Sequence, residues 1–190
     1  KIEKPLKERN NLIGYIGRLS KEKGTLNFVK AIPKILKEKS EVKFLIGGDG
    51  QLRDEIEKYL DKENLNGKVE LPGWIPHEEL PQHLNDLKLL VLPSYTEGLP
   101  NIMLEAMACG TPVLATPVGA IPDTIKDGET GFIMEENSPE CIAENVIRTL
   151  KDPNLEEITQ NARALVENEF TYEAAVERYR KILSGLTVKS

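Results

Sequence analysis

The feature that most constrains the fold is the alternation of short apolar segments with longer amphipathic ones. The apolar segments predict strands, at residues 12–17, 42–47, 68–73, 89–93, 112–116 and 131–134. The amphipathic stretches between them predict helices, at residues 25–39, 51–65, 77–86, 101–109 and 121–126. Brief turns and largely apolar strands indicate parallel pairing through right-handed crossovers, with helices on both faces of the sheet. The sequence therefore predicts an α/β fold with a doubly wound, Rossmann-like parallel sheet of about six strands.

The pattern changes after Ser138, where only helices are predicted, at residues 138–150, 155–170 and 171–183. Little sheet remains for these extra C-terminal helices to cover, so we expect some of them to wrap an edge or to reach toward a partner. The opening residues are polar and charged, which is typical of an interdomain boundary. We therefore expect an excised domain, with a linker remnant over 1–10, one domain over 11–185 and a tail over 186–190.

Charge and composition argue against several classes of protein. The 190 residues carry 31 acidic and 25 basic side chains, and the net charge of −6 argues against nucleic acid binding. No apolar run approaches the ~20 residues that a membrane span needs, and no signal-peptide pattern opens the chain, so we expect a cytoplasmic protein. Cys109 and Cys141 lie 32 positions apart without ligand-like spacing. We therefore expect reduced, structural cysteines and no metal site.

The loop "GRLSKEKG", residues 17–24, is the first candidate binding element. In doubly wound sheets, ligands lie at the carboxyl ends of the strands, where loops lead into helix N-termini. This loop places Arg18 and Lys23 beside the free amides near Gly24 and Thr25, an arrangement that suits a diphosphate. A solvated, lysine-rich turn is the alternative, and the charges alone do not decide between the two.

The glycines of "GGDGQLR", residues 47–53, invite comparison with a dinucleotide-binding loop. That fingerprint has glycines spaced G-x-G-x-x-G directly after the first strand of the domain. Here Arg53 occupies the position of the third glycine, and the segment follows the second predicted strand. The segment is therefore interpreted as a strand-to-helix turn in which Asp49 caps the helix.

The segment "EGLPNIMLEAMACGTPV" holds two acids eight positions apart, Glu97 and Glu105. Pro100 suits the first turn of a helix, so Gly98 and Leu99 are expected at the mouth of that helix. Eight helical residues rise about 12 Å, whereas the carboxylates of a retaining glycosidase stand roughly 5 to 5.5 Å apart. The spacing favours acids that accept hydrogen bonds from hydroxyls at opposite ends of an elongated ligand. For Glu105 alone, a helix acid directed to solvent is the alternative.

Hydroxyls at both ends of a ligand and a diphosphate between them describe a nucleotide sugar. Five blocks of the chain resemble the C-terminal donor-binding domain of retaining GT-B glycosyltransferases (glycosyl transferases group 1, family four), over roughly residues 11–180. The blocks are GRLSKEKG, LIGGDGQLR, VELPGWIPHEELP, PSYTEGLPNIMLEAMACGTPVLAT and GAIPDTIKDGETGF. The resemblance implies that the domain over 11–185 binds a nucleotide sugar and is one half of a GT-B fold. The chain departs from common family residues at Gln51, Ala120 and Asp123.

The resemblance also implies catalytic roles for three side chains. Arg18 and Lys23 would hold the donor diphosphate and stabilise the nucleoside diphosphate as it leaves. Glu97 would bind hydroxyls of the transferred sugar. Glu105 would bind the ribose hydroxyls of the donor without taking part in the chemistry.

The remaining donor contacts that the resemblance implies come from loops. Gly17 and the amides of the helix mouth would surround the sugar and the phosphates, the latter at Gly98, Leu99 and Asn101. The loop at Trp74 and Ile75 would contact the base. No cofactor and no metal are expected. The donor is expected to be a nucleotide-diphosphate sugar such as a UDP or GDP sugar, and the sequence does not disclose which base or sugar is used.

The resemblance implies a partner within the same polypeptide, an N-terminal domain that holds the acceptor and is missing from this chain. We expect the isolated domain to bind donor weakly and to transfer nothing, and any peripheral membrane association to involve only the missing half. Two alternatives stay open at this point. One is half of a GT-B nucleotide-sugar epimerase, and the other is a non-catalytic, flavodoxin-like binding module.

Overall fold

The computed structural model describes residues 4–187, which contain a single sheet of six strands. The strands are β1 (Leu12–Ile16), β2 (Lys43–Gly47), β3 (Val69–Gly73), β4 (Leu89–Leu92), β5 (Val113–Ala115) and β6 (Phe132–Ile133). Their order is β3-β2-β1-β4-β5-β6, and every neighbouring pair is parallel. The predicted doubly wound sheet is confirmed. Its winding direction reverses between β1 and β4, which are neighbours in space.

The helices lie where the amphipathic segments predict them. They are α1 (Thr25–Glu38), α2 (Arg53–Lys62), α3 (Leu80–Asp86), α4 (Asn101–Ala108), α5 (Ile121–Thr124), α6 (Pro139–Lys151), α7 (Leu155–Glu169) and α8 (Tyr172–Thr187). The start of α3 differs from the predicted residue 77, because residues 77–79 form a turn and Pro81 takes a place in the first turn of the helix, where proline is favoured. The predicted boundary at residue 185 falls inside α8, and residues 188–190 of the predicted tail lie outside the described residues.

Each face of the sheet carries its own apolar core. Successive residues of β2 point to opposite faces, so Phe44 belongs to one core and Leu45 to the other. The first core includes side chains of α1, α2 and α6, and the second includes side chains of α3 and α4. All four residues of β4 are buried, because helices cover both sides of this strand.

The extra C-terminal helices extend these two cores. Ile142 and Val146 of α6 join the first core, whereas Ala162 and Val166 of α7 join the second. In α8, by contrast, large apolar side chains are exposed, among them Tyr172, Tyr179 and Ile182. Among residues 4–187 no helix has the length and apolar character to cross a membrane.

The segment before β1 packs against the domain from Lys4 onward. Leu6 is buried in the first core, and the guanidinium of Arg9 is inserted between the ends of two helices. Arg9 donates hydrogen bonds to the carbonyl oxygens of Lys4, Leu84, Leu87 and Cys109 and to the hydroxyl of Thr111. The predicted linker segment is therefore anchored to the sheet domain over its described residues. Its role as a connection to another domain stays a prediction.

Candidate functional site

A cavity of about 250 Å³ opens at the carboxyl ends of β1 and β4. This is the position where the winding of the sheet reverses, and open α/β sheets bind their ligands there. The loop between β1 and α1 contributes Gly17, Arg18 and Lys23 to the lining. The loop between β4 and α4 contributes Ser94 and Glu97, and α4 contributes Asn101. The structure therefore brings together five of the site residues predicted from the sequence, namely Gly17, Arg18, Lys23, Glu97 and Asn101.

A glycine in the left-handed region lets these two loops approach each other. Gly24 has φ +66°, and a Cβ atom at this position would lie 1.9 Å from the carbonyl oxygen of Pro93. Beside it, the amide of Tyr95 donates to the carbonyl oxygen of Glu22 at 2.9 Å. Because no side chain fits between the two backbones, the loops are held at a distance that suits a shared binding site.

We expect Gly24→Ala to lower the free energy of unfolding by at least about 1 kcal/mol, because alanine is strained at positive φ and its Cβ would push the two loops apart. Urea denaturation measures this change. Gly67→Ala is the control, since no atom beyond the adjacent residues lies within 4 Å of a Cβ built at Gly67. Equal stability of the Gly24→Ala chain and the wild type would show that the loops separate without cost.

A third loop supports the backbone of Glu97. Gly119 has φ +60°, and a Cβ atom there would lie 2.1 Å from the carbonyl oxygen of Glu97. The next amide, that of Ala120, donates to the carbonyl oxygen of Gly98 at 2.9 Å. The loop after β5 therefore fixes the path of the chain at the mouth of α4.

The charged centre of the cavity is a contact of Lys23 with Glu97. The Nζ atom of Lys23 lies 2.7 Å from Oε1 of Glu97, and the hydroxyl of Ser94 donates to the same oxygen at 2.7 Å. The side chain of Glu97 is only 8% exposed, whereas that of Lys23 is 32% exposed. A carboxylate buried to this degree is stable only with donors around it, and Lys23 and Ser94 provide them.

Arg18 adds a second cation to the cavity with an exposed side chain. Its backbone is held in place because the hydroxyl of Tyr15 donates to the Arg18 carbonyl oxygen at 2.7 Å. Burial raises the pKa of Tyr15 well above its ordinary value, so the hydroxyl keeps the proton that this bond requires. The guanidinium of Arg18 can thus bind an anion in the cavity while its backbone stays fixed.

The mouth of α4 has the features of an anion site. Pro100 precedes the helix and has no amide, so the free amides begin at Asn101, which lines the cavity. Gly98 and Leu99 are exposed at this mouth. Free amides and the partial positive charge of a helix N-terminus both favour a negatively charged ligand.

Glu105 does not line this cavity, and the structure places it in a second region. Its side chain is 34% exposed, and its Oε1 lies 4.0 Å from Nδ1 of His77 in the loop after β3. Trp74 of that loop is 72% exposed. Ile75 is half-buried and packs beside Gly47, where an added Cβ would lie 2.4 Å from the Ile75 Cδ1. A single ligand must therefore be elongated to reach both Glu97 and Glu105.

Sequence reasoning missed Ser94 and assigned the wrong role to Asp49. Ser94 lies two positions after the end of β4 and three positions before Glu97, and a polar residue so close to a strand end was a usable signal. The carboxylate of Asp49 accepts from the amide of Gly50 at 2.7 Å and does not cap α2. The reason is distance along the chain, since α2 begins at Arg53 with Leu52 at the capping position.

No group of three or more His, Cys, Asp or Glu side chains within residues 4–187 is placed to hold a metal ion. Metal-independent chemistry stays a prediction. Burial raises the pKa of the Cys109 thiol, and no disulfide joins Cys109 to Cys141.

Comparison with known proteins gives a consistent family assignment. The family described as Glycosyl transferases group 1 matches residues 1–183. The chain is 32% identical to the alpha-D-kanosaminyltransferase of Streptomyces kanamyceticus over 176 residues, which are 90% of this chain and 46% of that relative. The chain spans about half the length of the curated relatives it matches.

Two solved structures extend the similarity to the fold. The C-terminal domain of the group 1 family protein LpcC from Francisella tularensis superposes with a TM-score of 0.76 at 31% identity, over 87% of each chain. TarM from S. aureus, solved with Fondaparinux, alpha-GlcNAc-glycerol and UDP, gives a TM-score of 0.81 at 27% identity. That match covers 95% of this chain and 37% of TarM.

Proposed function

We propose, because the chain belongs to the glycosyl transferases group 1 family, that it binds the nucleotide-sugar donor of a retaining glycosyltransferase. The enzyme would transfer a hexose from a nucleoside diphosphate to an acceptor. The observation that carries this proposal is the cavity between β1 and β4, where Arg18, Lys23 and Glu97 meet at the N-terminus of α4. Two cations and free amides suit a diphosphate, and a carboxylate beside them suits sugar hydroxyls.

In the proposed reaction, the bond between the anomeric carbon of the sugar and the diphosphate oxygen breaks. An acceptor hydroxyl oxygen bonds to the same face of that carbon, and its proton passes to the leaving diphosphate. Arg18 and Lys23 stabilise the negative charge that develops on the diphosphate, and such charge stabilisation is a large contribution to catalysis in many enzymes. Glu97 orients the sugar by accepting hydrogen bonds from its hydroxyls.

The nucleoside would extend from the cavity along α4. Glu105 lies farther along this helix and accepts hydrogen bonds from the ribose hydroxyls in the proposed complex. The exposed ring of Trp74 and the backbone at Ile75 are in the same loop as His77, which approaches Glu105 at 4.0 Å, and this position suits contact with the base. The presence of UDP in the similar TarM structure supports a uridine donor, and GDP is the second candidate.

The acceptor would be held by an N-terminal domain of the same protein, which the length of the relatives supports. This chain alone would bind donor and transfer no sugar. We place the enzyme in the cytoplasm, and any membrane association would arise through the other domain.

Calorimetric titration of the 190-residue chain with UDP, GDP and ADP tests the proposal. We expect one of the three to bind, and Glu105→Ala to weaken that binding by about tenfold or more, because a hydrogen bond to a charged group is worth about 1.5–3 kcal/mol. Glu157→Ala changes an exposed acid of α7 and serves as the control. A wild type that binds none of the three would contradict the proposal and favour the non-catalytic module. Equal affinities of Glu105→Ala and wild type would remove only Glu105 from the site.

A further inference from the structure

The two hydrogen bonds that hold Glu97 converge on one of its oxygens. Ser94 and Lys23 both donate to Oε1, each at 2.7 Å. Among residues 4–184, whose side chains the structure describes, no group donates to the other oxygen, Oε2. A carboxylate has room for about four hydrogen bonds, so Oε2 keeps its full capacity to accept bonds from a ligand in the cavity.

The two donors differ in how firmly they are held. Ser94 is buried, and its carbonyl oxygen accepts a hydrogen bond from the hydroxyl of Thr116 at 2.6 Å. Lys23 has a long side chain that is 32% exposed. In the proposed complex a diphosphate competes with Glu97 for the ammonium group of Lys23, because the diphosphate group as a whole carries more negative charge than one carboxylate. The diphosphate does not compete in this way for the hydrogen bond that Ser94 donates to Glu97.

We propose that Ser94 is a positioning residue for the donor sugar, whose hydroxyl holds Glu97 in place when Lys23 turns to the diphosphate. Oε1 then stays bonded to the protein and Oε2 faces the sugar hydroxyls. This role rests on the proposed function, since it requires a donor with both a diphosphate and a sugar. Ser94 itself need not touch the donor.

We expect Ser94→Ala to act differently on the affinity for a nucleoside diphosphate and on the affinity for a nucleotide sugar. A nucleoside diphosphate lacks the sugar, so its affinity depends on Lys23 and Arg18 and changes less than about threefold in Ser94→Ala. A nucleotide sugar gains further affinity through Glu97, and we expect Ser94→Ala to lower that affinity by about tenfold. Ser94→Thr keeps the hydroxyl, so this variant is expected to bind the nucleotide sugar as tightly as the wild type.

The experiment is calorimetry on the wild type, Ser94→Ala and Ser94→Thr. Each is titrated with the best binder among UDP, GDP and ADP and with its sugar conjugate, UDP-glucose, GDP-mannose or ADP-glucose. Thr159→Val is the control, because it removes a buried hydroxyl of α7 that bonds the carbonyl of Leu155, away from the cavity. A selective loss for the conjugate supports the proposal. Equal losses for both ligands, or no loss for either, would overturn it.

Crystal structures of the wild type and Ser94→Ala, each with the best-binding nucleoside diphosphate bound so that the phosphates engage Lys23, give a second measurement. We expect the Glu97 carboxylate to leave its position when the serine hydroxyl is absent. If Glu97 stays in place in Ser94→Ala while the wild type binds a nucleotide, the positioning role fails and the proposed function stands. If the wild type binds none of the three nucleotides, the proposed function fails and the role in holding a donor sugar fails with it.

Discussion

Replacing Lys23 with methionine is expected to weaken the binding of a nucleoside diphosphate by about 10- to 100-fold. Two effects act in the same direction. The variant loses a charge-assisted hydrogen bond to the diphosphate, and it leaves the largely buried carboxylate of Glu97 without its cation. An uncompensated carboxylate beside the phosphates repels them. Calorimetry with UDP, GDP and ADP measures the change.

Lys21→Met is a matched control for this prediction. Lys21 lies in the same loop with an exposed side chain, and it does not line the cavity between β1 and β4. Its replacement removes the same charge from the protein and is expected to change the affinity less than about threefold, since exposed charges are screened by solvent. Similar losses for the two variants would mean that overall charge, and not the position of Lys23 in the cavity, sets the affinity.

Replacing Arg9 with methionine is expected to lower the free energy of unfolding by about 3 kcal/mol. Arg9 is 5% exposed, and its loss would leave the carbonyl oxygens of Leu87 and Cys109 buried with fewer partners. These oxygens lie at the C-terminal ends of α3 and α4, where a cation also interacts favourably with the helix dipoles. For a chain of this size, the melting temperature should fall by about 6–12 °C.

Arg180→Met is the control for the Arg9 prediction. Arg180 is 74% exposed in α8 and approaches Glu177 at 3.8 Å, so its loss should change stability by less than about 0.5 kcal/mol. Thermal and urea denaturation of both variants measure the difference. A loss below about 1 kcal/mol for Arg9→Met would show that water replaces the guanidinium at the two helix ends.

Much of the fold was predictable because it depends on local patterns. A strand such as β4 is apolar along its whole length because both of its faces are covered, and that property is visible in "LLVL" without any structure. The same holds for α4, whose buried Met103, Ala106 and Met107 follow a helical period. Side-chain periodicity reports burial, and burial defines the layers of an α/β fold. The family assignment also followed from segments of sequence, and it is confirmed by the match over residues 1–183.

The arrangement of the site was only partly predictable. The sequence placed Arg18 and Lys23 in one loop and Glu97 in another, and general rules for parallel sheets brought those loops to the same edge. The bond between Lys23 and Glu97 joins residues 74 positions apart, and the position of Glu105 outside the cavity depends on the direction of α4. Neither can be read from residue types. Arg9 was interpreted as part of a linker because the composition of residues 1–10 is polar. The buried hydrogen-bond partners of Arg9 lie 75 to 102 positions away along the chain.

The amino-acid sequence by itself determined the layers, the order of strands and helices along the chain, and the loops that carry charge, because each of these depends on neighbours within a few residues. The tertiary structure alone decided that β1 and β4 lie side by side, that Ser94 and Lys23 share one oxygen of Glu97, and that Arg9 joins two helix ends. Those contacts depend on the path of the whole backbone. A difference of about 1 Å in that path would break a hydrogen bond without changing the pattern of apolar residues.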